Sequence, residues 1–409
     1  MLRAGAASLE ITPFVGGPMA GYADRTGGSV SVRDPLRAEA LVLDGGRGSC
    51  AIVTADLIGF DASTSAAVRA AVQRRCGIVP ERVMLAGTHT HWGPELREMR
   101  LAPETPLRAE HEAYLIMLTE RIAEAVQRAC ERLRPARAGA ASISAAGLAF
   151  NRRIVTNGTC EMAFRLPPEQ LARATGPVDP ELSVLRIADS SGGESIATLL
   201  NFGCHPVCST DRPGELSADY PGHAKRLIER ELGGVALFAL GCAGDVVPAR
   251  RGGDAALELG RAVGGLALRA LAGLETGGEH ALDCARRMLD LPLRDLASAQ
   301  EPERVRRFFP EWAGKRERTV ELQAFRLGPW PIVALPGEIL AASGLDLKRR
   351  LAASPAFTLT MANTSAGYFP RRESFSEGGY EPTVSCFEPG SAERLIDEAG
   401  ALAGELGAE

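Results

Sequence analysis

The chain lacks several features that would settle its class at once, and each absence narrows the choice. No apolar run approaches the ~20 residues that a membrane-spanning helix needs, so membrane insertion is not expected. There is no basic excess: 46 Lys and Arg stand against 51 Asp and Glu, for a net charge of −5. A general nucleic-acid binder needs a basic face to neutralise phosphates, so that class is set aside. Nine cysteines form no Cys-x-x-Cys pair, which argues against a finger-like metal site and a disulfide framework. It favours reduced thiols and a cytoplasmic setting. The opening residues, Met-Leu-Arg-Ala-Gly-Ala-Ala-Ser-Leu-Glu-Ile, turn early into strand-like alternation and lack the charged-then-apolar order of an export signal. The expected partner is therefore a small-molecule substrate; the oligomeric state is not legible.

What is present is an ordinary globular composition, 45% hydrophobic and 24% charged, in 409 residues. No linker is polar enough to force a boundary, so the chain reads as a single domain over 1–409. One pattern recurs three times: two strands joined by a short Gly-containing turn, a helix, and another strand. The first copy is RAEALVLD from Arg37, the strand AIVTAD ending at Asp56, a helix over 63–75 and the strand VMLAG from Val83. The second is SVLRIAD from Ser183, SIATLLNFGCH ending at His205, a helix over 221–232 and VALFAL from Val235. The third is LQAFRL from Leu322, PIVALPGE ending at Glu338, a helix over 339–351 and FTLTMA from Phe357. The predicted class is α/β, with mixed sheets built from three ββαβ-like units and flanking helices over 110–134 and 254–274. A charged stretch over 297–318 is expected as exposed helix or insertion.

The repeat aligns six strand ends that carry Asp56 and His89, His205 and Asp245, and Glu338 and Tyr368. In α/β proteins ligands gather beyond the carboxyl ends of strands. Of the six histidines, His111 is expected to be solvated, His280 to lie in a loop, and His223 to cap or pack at a helix start. His89, His91 and His205 differ, because each follows an apolar strand beside a Gly or Pro. In GTHTHWGPE, from Gly87, the two histidines lie two residues apart and share one face of an extended chain. Spacing alone leaves open whether they are two ligands of one metal, a ligand and an acid/base group, or two structural residues. With the carboxylate of LPGE they meet the needs of a catalytic Zn2+, which takes about three His/Asp/Glu ligands and keeps a position open. Cys204, Cys208 and Cys242 are a rival soft set, better read as small buried residues.

The motifs GTHTHWGP, NFGCHP, AGDVVP, LPGE and the segment from Asn363 through Tyr368 to Tyr380 and Glu381 occur in the order seen in neutral/alkaline ceramidases. ITPFVGGPMAGYADR and LVLDGG near the start are also similar to that family. The resemblance covers essentially the whole chain. It implies a zinc amidase site in which His89, His205, Glu338 and Tyr368 hold the metal. It also implies that His91 is a non-ligand proton carrier and that Arg152 and Tyr380 stabilise the oxyanion. Asp245 and Asp56 are weighed as groups that orient a zinc-bound imidazole, against ordinary turn or cap residues.

Two departures bear on substrate. Val247 stands in GDVVP where the family carries a serine with a catalytic role. The chain ends soon after the last motif, without the family's C-terminal immunoglobulin-like domain. The expectation is a compact relative acting on a small soluble substrate other than ceramide. Arginine pairs 152–153, 250–251 and 371–372 near the motifs point weakly to an anionic one. Beside zinc-dependent cleavage of an amide (N-acyl) bond, a zinc esterase or lactonase, a metal-dependent lyase or isomerase, and a retired metal-binding homologue remain as alternatives.

Overall fold

The computed structural model describes residues 1–22, 25, 27–96, 108–191, 193–277, 280–295 and 314–406. Twelve strands carry the architecture. They are β1 (Arg3–Glu10), β2 (Arg37–Asp44), β3 (Ser49–Ala55), β4 (Val83–Gly87), β5 (Arg134–Ser144), β6 (Glu181–Asp189), β7 (Ser195–Phe202) and β8 (Val235–Leu240). The remaining four are β9 (Leu282–Pro292), β10 (Glu317–Leu327), β11 (Trp330–Ala334) and β12 (Phe357–Leu359). The six longer helices are α1 (Ala62–Cys76), α2 (Arg108–Glu131), α3 (Asp219–Leu232), α4 (Ala255–Leu271), α5 (Ala341–Leu351) and α6 (Ser391–Glu405).

The three expected units are all present, as β2-β3-α1-β4, β6-β7-α3-β8 and β10-β11-α5-β12. In each, the hairpin is antiparallel and the strand after the helix returns parallel to the second strand. The sequence of the first hairpin explains its turn: Gly46 and Gly48 both adopt positive φ, which residues with a Cβ resist. The first two units join side by side through β1 and β5, giving an eight-stranded sheet in the order β8-β7-β6-β5-β1-β2-β3-β4. The third forms a separate sheet, β9-β10-β11-β12.

Side-chain alternation on these strands builds four layers. Leu41, Ile52, Leu185, Leu199 and Leu237 face Phe325, Ile332 and Phe357 of the smaller sheet. The opposite face buries Val42, Val53 and Leu85 under α1 and α2, and Val184, Leu200 and Phe238 under α3 and α4. The outer face of the smaller sheet is covered by α5 and α6. Two buried asparagines stitch the sheets together. Asn201 on β7 exchanges hydrogen bonds with the Thr358 backbone of β12 at 2.9 and 3.0 Å. Asn363 accepts from Leu85 N of β4 at 2.9 Å and donates to Glu321 and Gln323 of β10 at 3.0 and 2.8 Å. Because of this stitching, the ends of β4, β7 and β11 open onto one place.

Several expectations need correction. Helix α2 stops at Glu131, and Arg134, expected to be its last residue, opens the 11-residue strand β5. Of the stretch expected as exposed helix or insertion, 297–313 lies outside the described residues, and its end enters β10 at Glu317. His111 is buried on α2 instead of solvated. No helix among the described residues is long and apolar enough to cross a membrane, and all nine cysteines are free thiols.

One buried ionic cluster ties α3 to the first unit. Lys225 Nζ of α3 donates to Glu39 Oε1 of β2 at 2.7 Å and to both Asp56 oxygens at 2.8 and 3.0 Å. Thr54 Oγ1 and Arg37 Nε also meet Glu39, and the Arg37 amide and Thr88 Oγ1 donate to Asp56. Breaking such a pair leaves charge uncompensated in the interior. Lys225→Met should therefore lower unfolding free energy by about 3–5 kcal/mol, read as a fall in the urea midpoint with an unchanged m-value.

Candidate metal centre

His89 sits just beyond β4. Its backbone adopts φ 69°, a left-handed conformation that costs energy in a residue with a Cβ and is typical of functional sites. Its amide donates to Leu57 O at 2.8 Å, and its Nδ1 lies 2.6 Å from Ile58 O. His205, beyond β7, is gripped in the same way: its Nδ1 lies 2.6 Å from Ala243 O and 3.2 Å from Val246 O. A carbonyl oxygen only accepts, so both rings carry their proton on Nδ1. Each Nε2 is then a lone pair, provided the ring is neutral. Burial does keep His205 neutral, lowering its pKa to about 4, with the Arg152 charge adding to the effect.

Glu338 and Tyr368 arrive together because Glu338–Ile339 and Tyr368–Phe369 pair as a two-residue parallel ladder in which these two residues are partners. Glu338 Oε2 lies 3.1 Å from His205 Nε2 and 3.4 Å from His89 Nε2. Two lone pairs thus face one carboxylate oxygen in a buried site, and His89 Nε2 has no hydrogen-bond partner. Acceptors do not satisfy one another, so this donor set fits a cation among them. Tyr368 adds a phenol oxygen, which is hydrogen-bonded to Glu338 and to Arg152 Nη2, the latter at 3.2 Å. Burial and the Glu338 charge push its pKa up.

His91 completes a cluster in which ligand nitrogens of His89, His91 and His205 lie within 4.8 Å of one another. Both of its ring nitrogens are covered and without hydrogen-bond partners. Its pKa is pulled well below the ordinary value by burial first and then by His89. The turn that aims it is strapped down: Thr90 Oγ1 donates to Ser217 O at 2.7 Å, and Ala20 N to Gly93 O at 3.0 Å.

Arg152 is buried among three aromatic rings, with Cζ 5.3 Å from Phe164, 5.7 Å from Tyr368 and 5.4 Å from Tyr380. Its Nε donates to Glu381 at 2.7 Å and its Nη2 to Gly244 O at 2.8 Å and Tyr368. The structure thus gathers His89, His91, His205, Glu338, Tyr368, Arg152 and Tyr380 in one place.

Asp245 and Asp56 are a correction. Backbone carbonyls hold both imidazoles. Asp245 instead accepts from Ala341 N and Asn151 Nδ2, each at 2.8 Å, and Asp56 pairs with Lys225. Each stands at a strand end, as read from the sequence, but its carboxylate fixes the chain and not a ring. Glu381 was missed. It is fully buried and bridges Arg152 and Arg153 at 2.7 and 2.8 Å; its place after Tyr380 in a resembling segment was the available signal. Val247 is buried in an apolar cluster with Trp92, Phe150 and Ile154. The arginine pairs separate: Arg153 and Arg371 are neutralised by Glu381, Glu377, Asp346 and Glu373, and Arg250 pairs with Glu258. Arg251 keeps a buried Nε without a partner.

Known proteins resemble the chain in sequence and in fold. Residues 3–257 match the family profile described as neutral/alkaline non-lysosomal ceramidase, N-terminal. Over 183 residues the chain is 29% identical to neutral ceramidase A of Dictyostelium discoideum, a match spanning 42% of this chain and 24% of that protein. The fold is similar to the crystal structure of neutral ceramidase from Pseudomonas aeruginosa, with a TM-score of 0.77 and 20% identity. That superposition takes in 99% of this chain and 74% of the other. A ceramidase complexed with C2 matches equally well, at 0.77 and 20%, over 99% and 75% of the two chains.

The carbonyl grips make a specific prediction for the metal-free protein. Long-range ¹H–¹⁵N NMR at neutral pH should report His89 and His205 as Nδ1–H tautomers. Finding Nε2–H at either ring would remove the lone pair that the site depends on.

Proposed function

The chain belongs to the neutral/alkaline non-lysosomal ceramidase family, and from that premise we propose that it is a metal-dependent hydrolase cleaving an amide (N-acyl) bond of a small soluble substrate. The observation that carries this reading is the convergence of His89 Nε2, His205 Nε2 and the Tyr368 hydroxyl on Glu338. These four residues would hold the ion, and two imidazoles with carboxylate and phenol oxygen suit Zn2+. When bound, such an ion supplies a Lewis acid and a water that loses its proton near neutral pH.

The chain's own residues do the rest. Water adds to the acyl carbon, the C–N bond breaks, and the departing nitrogen takes up one proton. His91 is positioned to carry that proton, since both its nitrogens face no competing partner. Arg152 spends its Nε and Nη2 within the protein and keeps Nη1 for charge developing on the acyl oxygen. Glu381 holds that guanidinium in place, and Tyr380 lies against it. Apolar Val247 offers no nucleophile, so direct attack by water is the route these residues support, and with it a substrate other than ceramide. We read 1–409 as one catalytic unit. The nine free thiols support a reducing, cytoplasmic setting.

The test separates ligand from proton carrier. His205→Ala and Glu338→Gln should each lose both metal, measured by elemental mass spectrometry, and hydrolysis of N-acyl compounds. His91→Ala should retain metal and lose about 10²–10⁴-fold in kcat. An empty site in His91→Ala would show that the division of roles is wrong.

A further inference from the structure

Several arginines around the site are neutralised by carboxylates, whereas Arg25 and Arg251 have no carboxylate partner among the described residues. Arg25 donates from Nη2 to the His91 carbonyl at 3.1 Å, and its Cζ stands 5.2 Å from the centre of the Tyr22 ring. The Tyr22 ring packs edge-on against His91 at 5.0 Å and Trp92 at 5.9 Å. Burial raises the Tyr22 pKa, and the Arg251 and Arg25 charges both act against that rise, so Arg251 lies in the neighbourhood of the phenol that Arg25 contacts. Arg251 follows the short strand Val246–Pro248, whose Val246 carbonyl contacts His205. Neither arginine forms an ion pair among the described residues, and the Nε of Arg251 is buried without any hydrogen-bond partner. Burial draws both guanidiniums below the usual arginine range, and the partners of Arg25 are the neutral carbonyls of Ala20 and His91, which carry no countercharge. Such a group is costly in an isolated protein and is relieved when an anion arrives. Two planar guanidinium forks suit a carboxylate or phosphate, which each accepts two parallel N–H bonds.

The side of the site is also defined. His91 is the residue proposed to protonate the departing nitrogen, and Tyr22 and Arg25 rest on His91. The amine half of a substrate would therefore lie against them. We propose that Arg25 and Arg251 form an anion subsite for the amine half of the substrate. The substrate class is then an N-acyl compound with a carboxylate or phosphate a few bonds from the scissile nitrogen, of which an N-acyl amino acid is the simplest. This rests on the hydrolase reading above and deepens it.

Three probes sharing one acyl chain test it: N-octanoylglycine, the phosphate monoester of N-octanoylethanolamine, and neutral N-octanoylglycinamide. The wild type should favour at least one anionic probe over the glycinamide by about tenfold or more in kcat/KM, and the better of the two identifies the anion. Arg25→Met and Arg251→Met should each cut that preference by about tenfold, chiefly through KM, with Arg25→Lys and Arg251→Lys intermediate. Equal use of neutral and anionic probes, or variants that slow all three in proportion, would overturn the subsite and leave the hydrolase intact. If no probe is hydrolysed, the hydrolase reading fails by itself. The subsite is then decided by calorimetry: N-octanoylglycine or the phosphate ester should bind the wild type about tenfold more tightly than either Met variant. Absent or arginine-independent binding of both would overturn it. Thermal melts establish that each variant is folded, and the Lys variants serve if a Met variant is not.

Discussion

Two imidazole lone pairs and a phenol meet at one buried carboxylate, and the surrounding structure is organised to keep them there. Left to themselves these groups would move apart, because the Glu338 oxygen and the two Nε2 atoms are all acceptors. What prevents relaxation is backbone. Ile58 and Ala243 hold the far nitrogen of each ring, the left-handed turn at His89 aims its side chain, and the Glu338–Tyr368 pairing sets the oxygen ligands side by side. Together these constraints draw on all three ββαβ units, so the site exists only when all three are packed. A cation among these atoms would turn the misfit into the site's largest favourable interaction, since its charge satisfies every one of them.

Charge is otherwise handled by separation. The buried Lys225, Glu39 and Asp56 close on themselves behind the first unit, and Glu381 absorbs Arg152 and Arg153. Arg152 can therefore be deeply buried among three rings while its Nη2 reaches the Tyr368 hydroxyl. Asp56 also connects the two regions. It anchors the segment whose next residues, Leu57 and Ile58, supply the carbonyls that hold His89. The core thus sets the position of His89 through the chain itself, without Asp56 touching the ring.

The three-unit pattern was legible because each unit announces itself locally, through apolar strands, a Gly turn and a helix of matching length. The strand ends carrying His89, His205, Glu338 and Tyr368 were legible for the same reason, and the family resemblance added Arg152 and Tyr380. What was not legible is non-local. Nothing in Arg134–Ser144 marks it as the strand that joins the first two units, and its exposed, Ala-rich pattern gave no clear period. The orienting partners of the histidines are main-chain carbonyls, which leave no residue type to read, so Asp245 and Asp56 looked better suited than they are. Likewise, whether an arginine near the site is neutralised depends on carboxylates far away in sequence, such as Glu381 for Arg152. Of the pairs read from the sequence, Arg251 stays without an ion pair among the described residues, and Arg25, outside those pairs, joins it.

The central claim is that one metal ion sits between His89, His205, Glu338 and Tyr368. The most direct measurement is anomalous scattering at the zinc absorption edge from crystals grown with zinc. The account predicts a single strong peak within bonding distance of His89 Nε2, His205 Nε2 and Glu338, with Nδ1 of both imidazoles still turned to Ile58 and Ala243. A peak held by His91 in place of either ring, or a site that stays empty in saturating zinc, would contradict it.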